Sequence, residues 1–178
     1  VARFETLWIR SRGLAAAYLL ASSLPAAPAL AGEGDAGGRI GGHIGVAVPI
    51  VTWIDDGDGT EVSDVSEDTV VAVPMGITIH RAAGPLAFDM ELVPAVTEDD
   101  DVSVTIHPGL VLPLERVALG LRAAFDTEND ALGFTPLVAV PFSIGELNLF
   151  VELDAPVRFP DGPVDATYAI ATHLGIAF

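Results

Sequence analysis

A chain of 178 residues is long enough for one domain, and 51% of it is hydrophobic although its formal net charge is −17. The 8 basic residues, all Arg, stand against 25 acids, so there is no basic face of the kind that nucleic acid requires. The absence of Cys excludes disulfide frameworks and thiolate metal sites.

Residues 1–31 have the layout of a cleaved signal peptide. Arg3, Arg10 and Arg12 form a positive start, Gly13 to Leu24 a short apolar core, and Ala29-Leu30-Ala31 a small-x-small cleavage site before Gly32. The apolar core is too short to span a bilayer, and Pro25 and Pro28 interrupt any extension of it. Cleavage removes three Arg and Glu5, which leaves 24 acids and a net charge of −19. Residues 32–39 read as a flexible leader.

From residue 40 onward, apolar stretches with period-two alternation follow one another between turn signals, and no helical periodicity of useful length interrupts them. The pattern predicts strands at about 41–53, 69–80, 86–97, 102–113, 117–125, 133–143, 147–159 and 167–178. Each is near the roughly 9–11 residues that a tilted strand needs to cross a bilayer. The connections after the second, fourth and sixth strands are tight: Arg81 to Pro85, Leu114 to Arg116, and Ile144 to Glu146. The other connections are longer and acidic, the first running DDGDGTEVSDVSED from Asp55 to Asp68. They hold sixteen acids and no basic residue, while Arg39, Arg81 and Arg116 lie at the opposite end. Short turns on the side of the termini and longer loops on the other are the bacterial outer-membrane pattern.

Each strand carries one row of bulky apolar residues at alternate positions, from Ile44, Val46, Val48 and Ile50 in the first to Tyr168, Ile170, Leu174, Ile176 and Phe178 in the last. The opposite rows are mostly Gly, Ala, Pro and Thr, with Asp89, Glu91, Arg122, Glu152, Asp154, Arg158 and all four His. An eight-stranded barrel has room inside only for modest side chains, so the bulky rows would overfill it. The expected arrangement is inverted, with bulky rows facing lipid and small and polar residues filling a narrow lumen. Phe125, Phe134, Phe159 and Tyr168 near the loop side, and Phe88, Phe142 and Phe178 near the turn side, form the two aromatic girdles such barrels carry. Trp53 has the wrong parity for either girdle. Pro49, Pro74, Pro108, Pro136, Pro141 and Pro156 fall inside strands, where proline lacks the ladder donor, so bulges or broken ladder bonds are expected there.

The fold read from these features is all-β: an eight-stranded antiparallel up-and-down transmembrane β-barrel over residues 40–178, after a cleaved signal peptide. The final segment, TYAIATHLGIAF, has apolar residues at Tyr168, Ile170, Leu174 and Ile176 and ends on Phe178. It resembles the C-terminal signal of outer-membrane β-barrel proteins. With the strand count, the resemblance points to the small OmpA/OmpX-type barrels as an architecture. It implies recognition by the barrel-assembly machinery, insertion into outer-membrane lipid and a location in the bacterial outer membrane.

Glu91, Arg122, Glu152 and His173 each lie about five residues from the turn-side rim, which predicts a lumen network around Arg122 as central cation. Asp89, Asp154 and Arg158 share those inward rows. Buried charges need partners, because an isolated one costs several kcal/mol. A polar plug is the expected role, and a proton path or gate the alternative. Asp56, Asp58, Thr60, Asp64 and Glu67 have an EF-hand-like spacing, but Glu61 stands where Gly is required and no helices flank the loop. Loose binding of Ca2+ or Mg2+ by these carboxylates competes with a solvated acidic loop, and no other cofactor is expected. No nucleophile–base arrangement is visible, so the chain is not expected to be an enzyme. The expected function is a structural envelope barrel with no open pore. The alternatives are a surface-binding module using its acidic loops for divalent cations or a partner protein, a narrow pore, and a soluble exported β-protein.

Overall fold

Strand-forming Val, Ile, Leu and Phe alternate with small residues along almost the whole chain, and the backbone is extended wherever they do. The computed structural model describes residues 38–64, 70–81, 84–96, 102–127, 130–161 and 164–178. The expected signal peptide and most of the expected leader lie outside the described residues. The strands are β1 (Arg39–Asp55), β2 (Thr60–Asp64), β3 (Val71–Ala72), β4 (Met75–His80), β5 (Ala87–Val96), β6 (Val102–Pro113), β7 (Ala118–Asp126), β8 (Leu132–Ile144), β9 (Leu147–Asp154), β10 (Val157–Phe159) and β11 (Ala166–Ala177).

Every pairing is antiparallel, and the sheet closes on itself because β11 pairs with β1 from His43↔Ala177 to Asp55↔Ala166. The result is a hydrogen-bonded ring of eight strand positions, in which β2, β3 and β4 together occupy one and β9 with β10 another. Phe178 completes the closure: its amide donates to the Gly42 carbonyl at 2.9 Å, and its carbonyl accepts from the Gly42 amide at 2.7 Å. Both chain ends of the ring and its tight turns share one end. One turn is Gly145-Glu146 between the paired Ile144 and Leu147, with Gly145 at φ +61°, the left-handed backbone a two-residue hairpin turn requires. Acids gather at the other end. There β2 continues the first hairpin against β1 over Val51↔Asp64 to Asp55↔Thr60, a strand where the sequence pattern predicts loop.

Prolines account for the irregularities. Pro74 separates β3 from β4, and Pro156 separates β9 from β10. Pairing resumes in the same register across the second break, from Leu137↔Asp154 to Phe134↔Val157. Single bonds bridge it, the Ala155 amide donating to the Pro136 carbonyl and the Ala169 amide to the Pro156 carbonyl, both at 3.0 Å. Pro108 sits where β6–β7 pairing lapses between Ile106↔Phe125 and Gly109↔Arg122. Pro141 lies past the end of β7 pairing at Ala118↔Ala139, so only β9 faces it and no ladder bond is lost. Pro49 opens a bulge: Pro49 pairs with Ala171, but Val51, not Ile50, pairs with Ile170. A bulge reverses side-chain parity beyond it. Trp53 therefore pairs with Tyr168 and takes its face, which resolves the odd parity of that residue.

Burial is inverted relative to a water-filled surround. Among the described residues the buried hydrophobics are Ala72, Ala87, Ala124, Ala131, Ala166 and Leu137, whereas the buried polar residues include Asp89, Glu91, Arg122, Glu152, Asp154 and three His. The large apolar side chains point outward. Leu121 is 55% exposed, Leu174 56% and Leu110 49%, and no residue of the predicted bulky rows is buried. The exposed row of β11, with Tyr168, Leu174, Ile176 and Phe178, belongs to this outer face, and Ile170 is half-buried in it.

Candidate functional site

Inside the ring, side chains at similar height meet because successive inward rows are staggered past one another. Arg122 enters from β7, flanked in register by the small Gly109 on β6 and Thr135 on β8, and it is only 4% exposed. Its Nε donates to Asp89 Oδ2 at 2.8 Å and its Nη1 to Glu152 Oε1 at 2.6 Å. Nη1 also lies 3.3 Å from Glu91 Oε2, so one guanidinium serves three buried carboxylates from β5 and β9. Charge-assisted pairs of this kind are the strong ones, and the planar fork suits two acids at once.

The network continues outward from that centre. Thr78 Oγ1 on β4 donates to Asp89 Oδ1 at 2.8 Å. Glu91 meets His43 Nε2 of β1 at 3.1 Å and His107 Nδ1 of β6 at 3.3 Å. His107 Nε2 lies 2.9 Å from Arg158 Nη2, and a guanidinium can only donate. That contact fixes the ring: His107 accepts from Arg158 through Nε2 and donates to Glu91 through Nδ1. Arg158 also donates to Thr135 Oγ1 on β8 at 3.1 Å and to the Phe134 and Val157 carbonyls. His173 Nδ1 on β11 stands 3.5 Å from Glu152 Oε1. Every strand position of the ring thus contributes at least one side chain. Phe150 packs edge-on against His173 and His43, with centroids 4.8 and 5.9 Å apart.

Close packing on this cluster demands small neighbours. A Cβ on Gly45 would fall 2.5 Å from His173 Nε2 and one on Gly76 2.7 Å from His43 Nε2. Two cavities of about 130 Å³ each adjoin the network, one toward the termini and one toward the acidic end. Arg122 lines both, so its cluster is the partition between them. Among the described residues, two buried side-chain atoms have no hydrogen-bond partner, Asp154 Oδ1 and His173 Nε2.

The structure brings Glu91, Arg122, Glu152, His173 and Asp89 together. It joins Arg158 to them through His107, and it sets Asp154 beside Glu152 and His173 on the loop-end side, with one oxygen lacking a hydrogen-bond partner. His43 and His107 belong to the cluster although the sequence reading placed them only on the inward face; Thr78, Thr135 and Phe150 were missed. All five share the parity of the inward rows, which is the signal that marks them. The acidic-loop residues behave differently. Asp56 Oδ1 accepts from the Asp58 and Gly59 amides at 3.1 and 3.0 Å, which ties it into the turn. Asp58 is exposed, Asp64 ends β2, and Glu67 lies outside the described residues. No protein-family model matches this chain, and no curated protein matches it at a significant level.

Proposed function

We propose that this chain is an integral outer-membrane β-barrel protein of the small eight-stranded kind, with a closed lumen and a structural role in the cell envelope. The observation that carries this reading is the inverted burial: bulky apolar rows on the outside of a closed ring, and charged side chains inside it. Water-soluble monomers rarely expose contiguous apolar patches above a few hundred Å². Lipid is the solvent that makes such a surface favourable, and a closed ring satisfies its backbone internally, as a bilayer requires. The twelve residues of β6 and of β11 exceed the roughly 9–11 needed to cross. The signal-peptide layout and the outward apolar row of β11 support export and assembly.

The closed lumen rests on the Arg122 cluster, which draws side chains from all eight strand positions across the interior. This favours a plug over an open pore. The test is a gel. Chain folded in detergent and loaded unboiled should migrate differently from a boiled sample, because a closed barrel resists SDS until heated. In planar bilayers the same material should give no steady single-channel current. Identical migration with and without boiling, in a protein soluble without detergent, would sink the membrane reading. Steady current would sink the plug.

A further inference from the structure

We propose that Glu152, Asp154 and His173 form a buried binding site for a divalent transition-metal ion of the zinc class, reached from the acidic end of the ring. The site needs only the ring fold and stands whether or not the ring lies in a membrane. Each of the three side chains offers one ligand atom, and these atoms all lie within 4.8 Å of one another. All three residues are buried, His173 to 1% exposure, Glu152 to 3% and Asp154 to 8%.

Two features point to a cation there. The first is the His173–Glu152 contact. At 3.5 Å it is long for a hydrogen bond. It is close to the roughly 3.3 Å that separates two ligands about 2.0–2.1 Å from one tetrahedral zinc. The second is that the buried side-chain atoms without a hydrogen-bond partner among the described residues, Asp154 Oδ1 and His173 Nε2, both belong to this group of three.

The surroundings suit that ion. Arg122 grips Glu152 through Nη1 at 2.6 Å, which fixes the ligand carboxylate as outer-shell partners do in metal sites. The loop-end cavity, lined by Asp154 and His173, provides a route and room for water as a fourth ligand. The mixed carboxylate–imidazole set favours zinc-class ions over Mg2+ or Ca2+, which prefer oxygen alone.

The experiment uses the full chain folded in detergent, stripped with a chelator and titrated with Co2+ as a spectroscopic stand-in, then with Zn2+ in competition. The expected result is one ion per chain with the intense visible absorption of a four- or five-coordinate site containing nitrogen, bleached by Zn2+. Asp154→Asn and His173→Gln should each weaken Co2+ binding at least tenfold, while a double Asp56→Asn, Asp58→Asn chain binds as the parent does. If the ligand variants do not fold, the parent spectrum still decides. Only the weak absorption of octahedral oxygen-bound Co2+, or binding lost with the loop variant alone, would assign the ion to the exposed acids and overturn the site. No binding of Co2+ at all would equally overturn the site.

Discussion

Replacing Arg122 by Met tests the central claim about the interior. The substitution keeps most of the side-chain volume and removes the charge that contacts Asp89 at 2.8 Å, Glu91 at 3.3 Å and Glu152 at 2.6 Å. Breaking a buried ion pair by deleting one partner costs about 3–5 kcal/mol, because the other charge is left in a poor solvent. Three carboxylates lose their cation here, but each can relax by taking up a proton or water from the adjoining cavities. The expected loss is about 4 kcal/mol. With a urea dependence of about 2 kcal/mol/M, that moves the unfolding midpoint down by roughly 2 M. Unfolding from detergent or lipid vesicles, followed by Trp fluorescence and by the gel shift, measures it. Adding Asp89→Asn and Glu152→Gln removes the stranded charges, and the triple variant should recover at least half of the loss. The reasoning fails if Arg122→Met alone costs less than about 1 kcal/mol, or if the triple variant is no more stable than the single one.

Leu121→Arg places a charge on the outer face, where Leu121 is 55% exposed. Against lipid it should cost about 2–4 kcal/mol in vesicles, whereas on a water-facing strand the change would stay within about 0.5 kcal/mol. Gly45→Ala drives a Cβ against the Leu174 carbonyl and should lower stability by about 1–3 kcal/mol in the urea assay, while Gly59→Ala, with nothing within 4 Å, should be neutral. In a chain carrying Trp8→Phe, brominated lipids should quench Trp53 more strongly when the bromines lie near the headgroups than at the bilayer centre. Equal quenching, or none, would mean that the Pro49 bulge does not turn Trp53 to the lipid interface.

The strands and their faces were legible because period-two alternation is a local property, readable from each stretch without knowing its neighbours. Glu91, Arg122, Glu152 and His173 could be grouped by parity and by distance from a rim. What could not be read was register. The bulge at Pro49 reverses parity for Val51 and Trp53, and a proline in a strand announces an irregularity without saying whether it will be a bulge, as at Pro49, or a gap in an unshifted register, as between Leu137↔Asp154 and Phe134↔Val157. The links from Arg158 to His107 and from His107 to Glu91 depend on the stagger of β10, β6 and β5, which no single strand encodes. The hairpin extension β2 was hidden because its Thr, Glu, Ser and Asp look like loop, yet Val62 opposite Trp53 gives it an apolar cross-strand pair.

One consequence ties the fold to its surroundings. The described interior buries five Ala and a single Leu as its hydrophobics, so apolar burial within the chain cannot supply the main driving force for folding. The ladder bonds and the Arg122 cluster give the ring its shape, but net hydrogen-bond contributions are small wherever water competes for the same groups. On the proposed membrane reading, the stabilisation comes from moving the outer rows out of water. In a bilayer those rows are buried by lipid, and the same absence of water strengthens the backbone ladder and the ion pairs inside. The polar interior and the apolar exterior are therefore two parts of one arrangement. Small inward residues leave room for the charged cluster, and on the proposed membrane reading the bulky side chains that an eight-strand interior cannot hold form the face that meets the lipid.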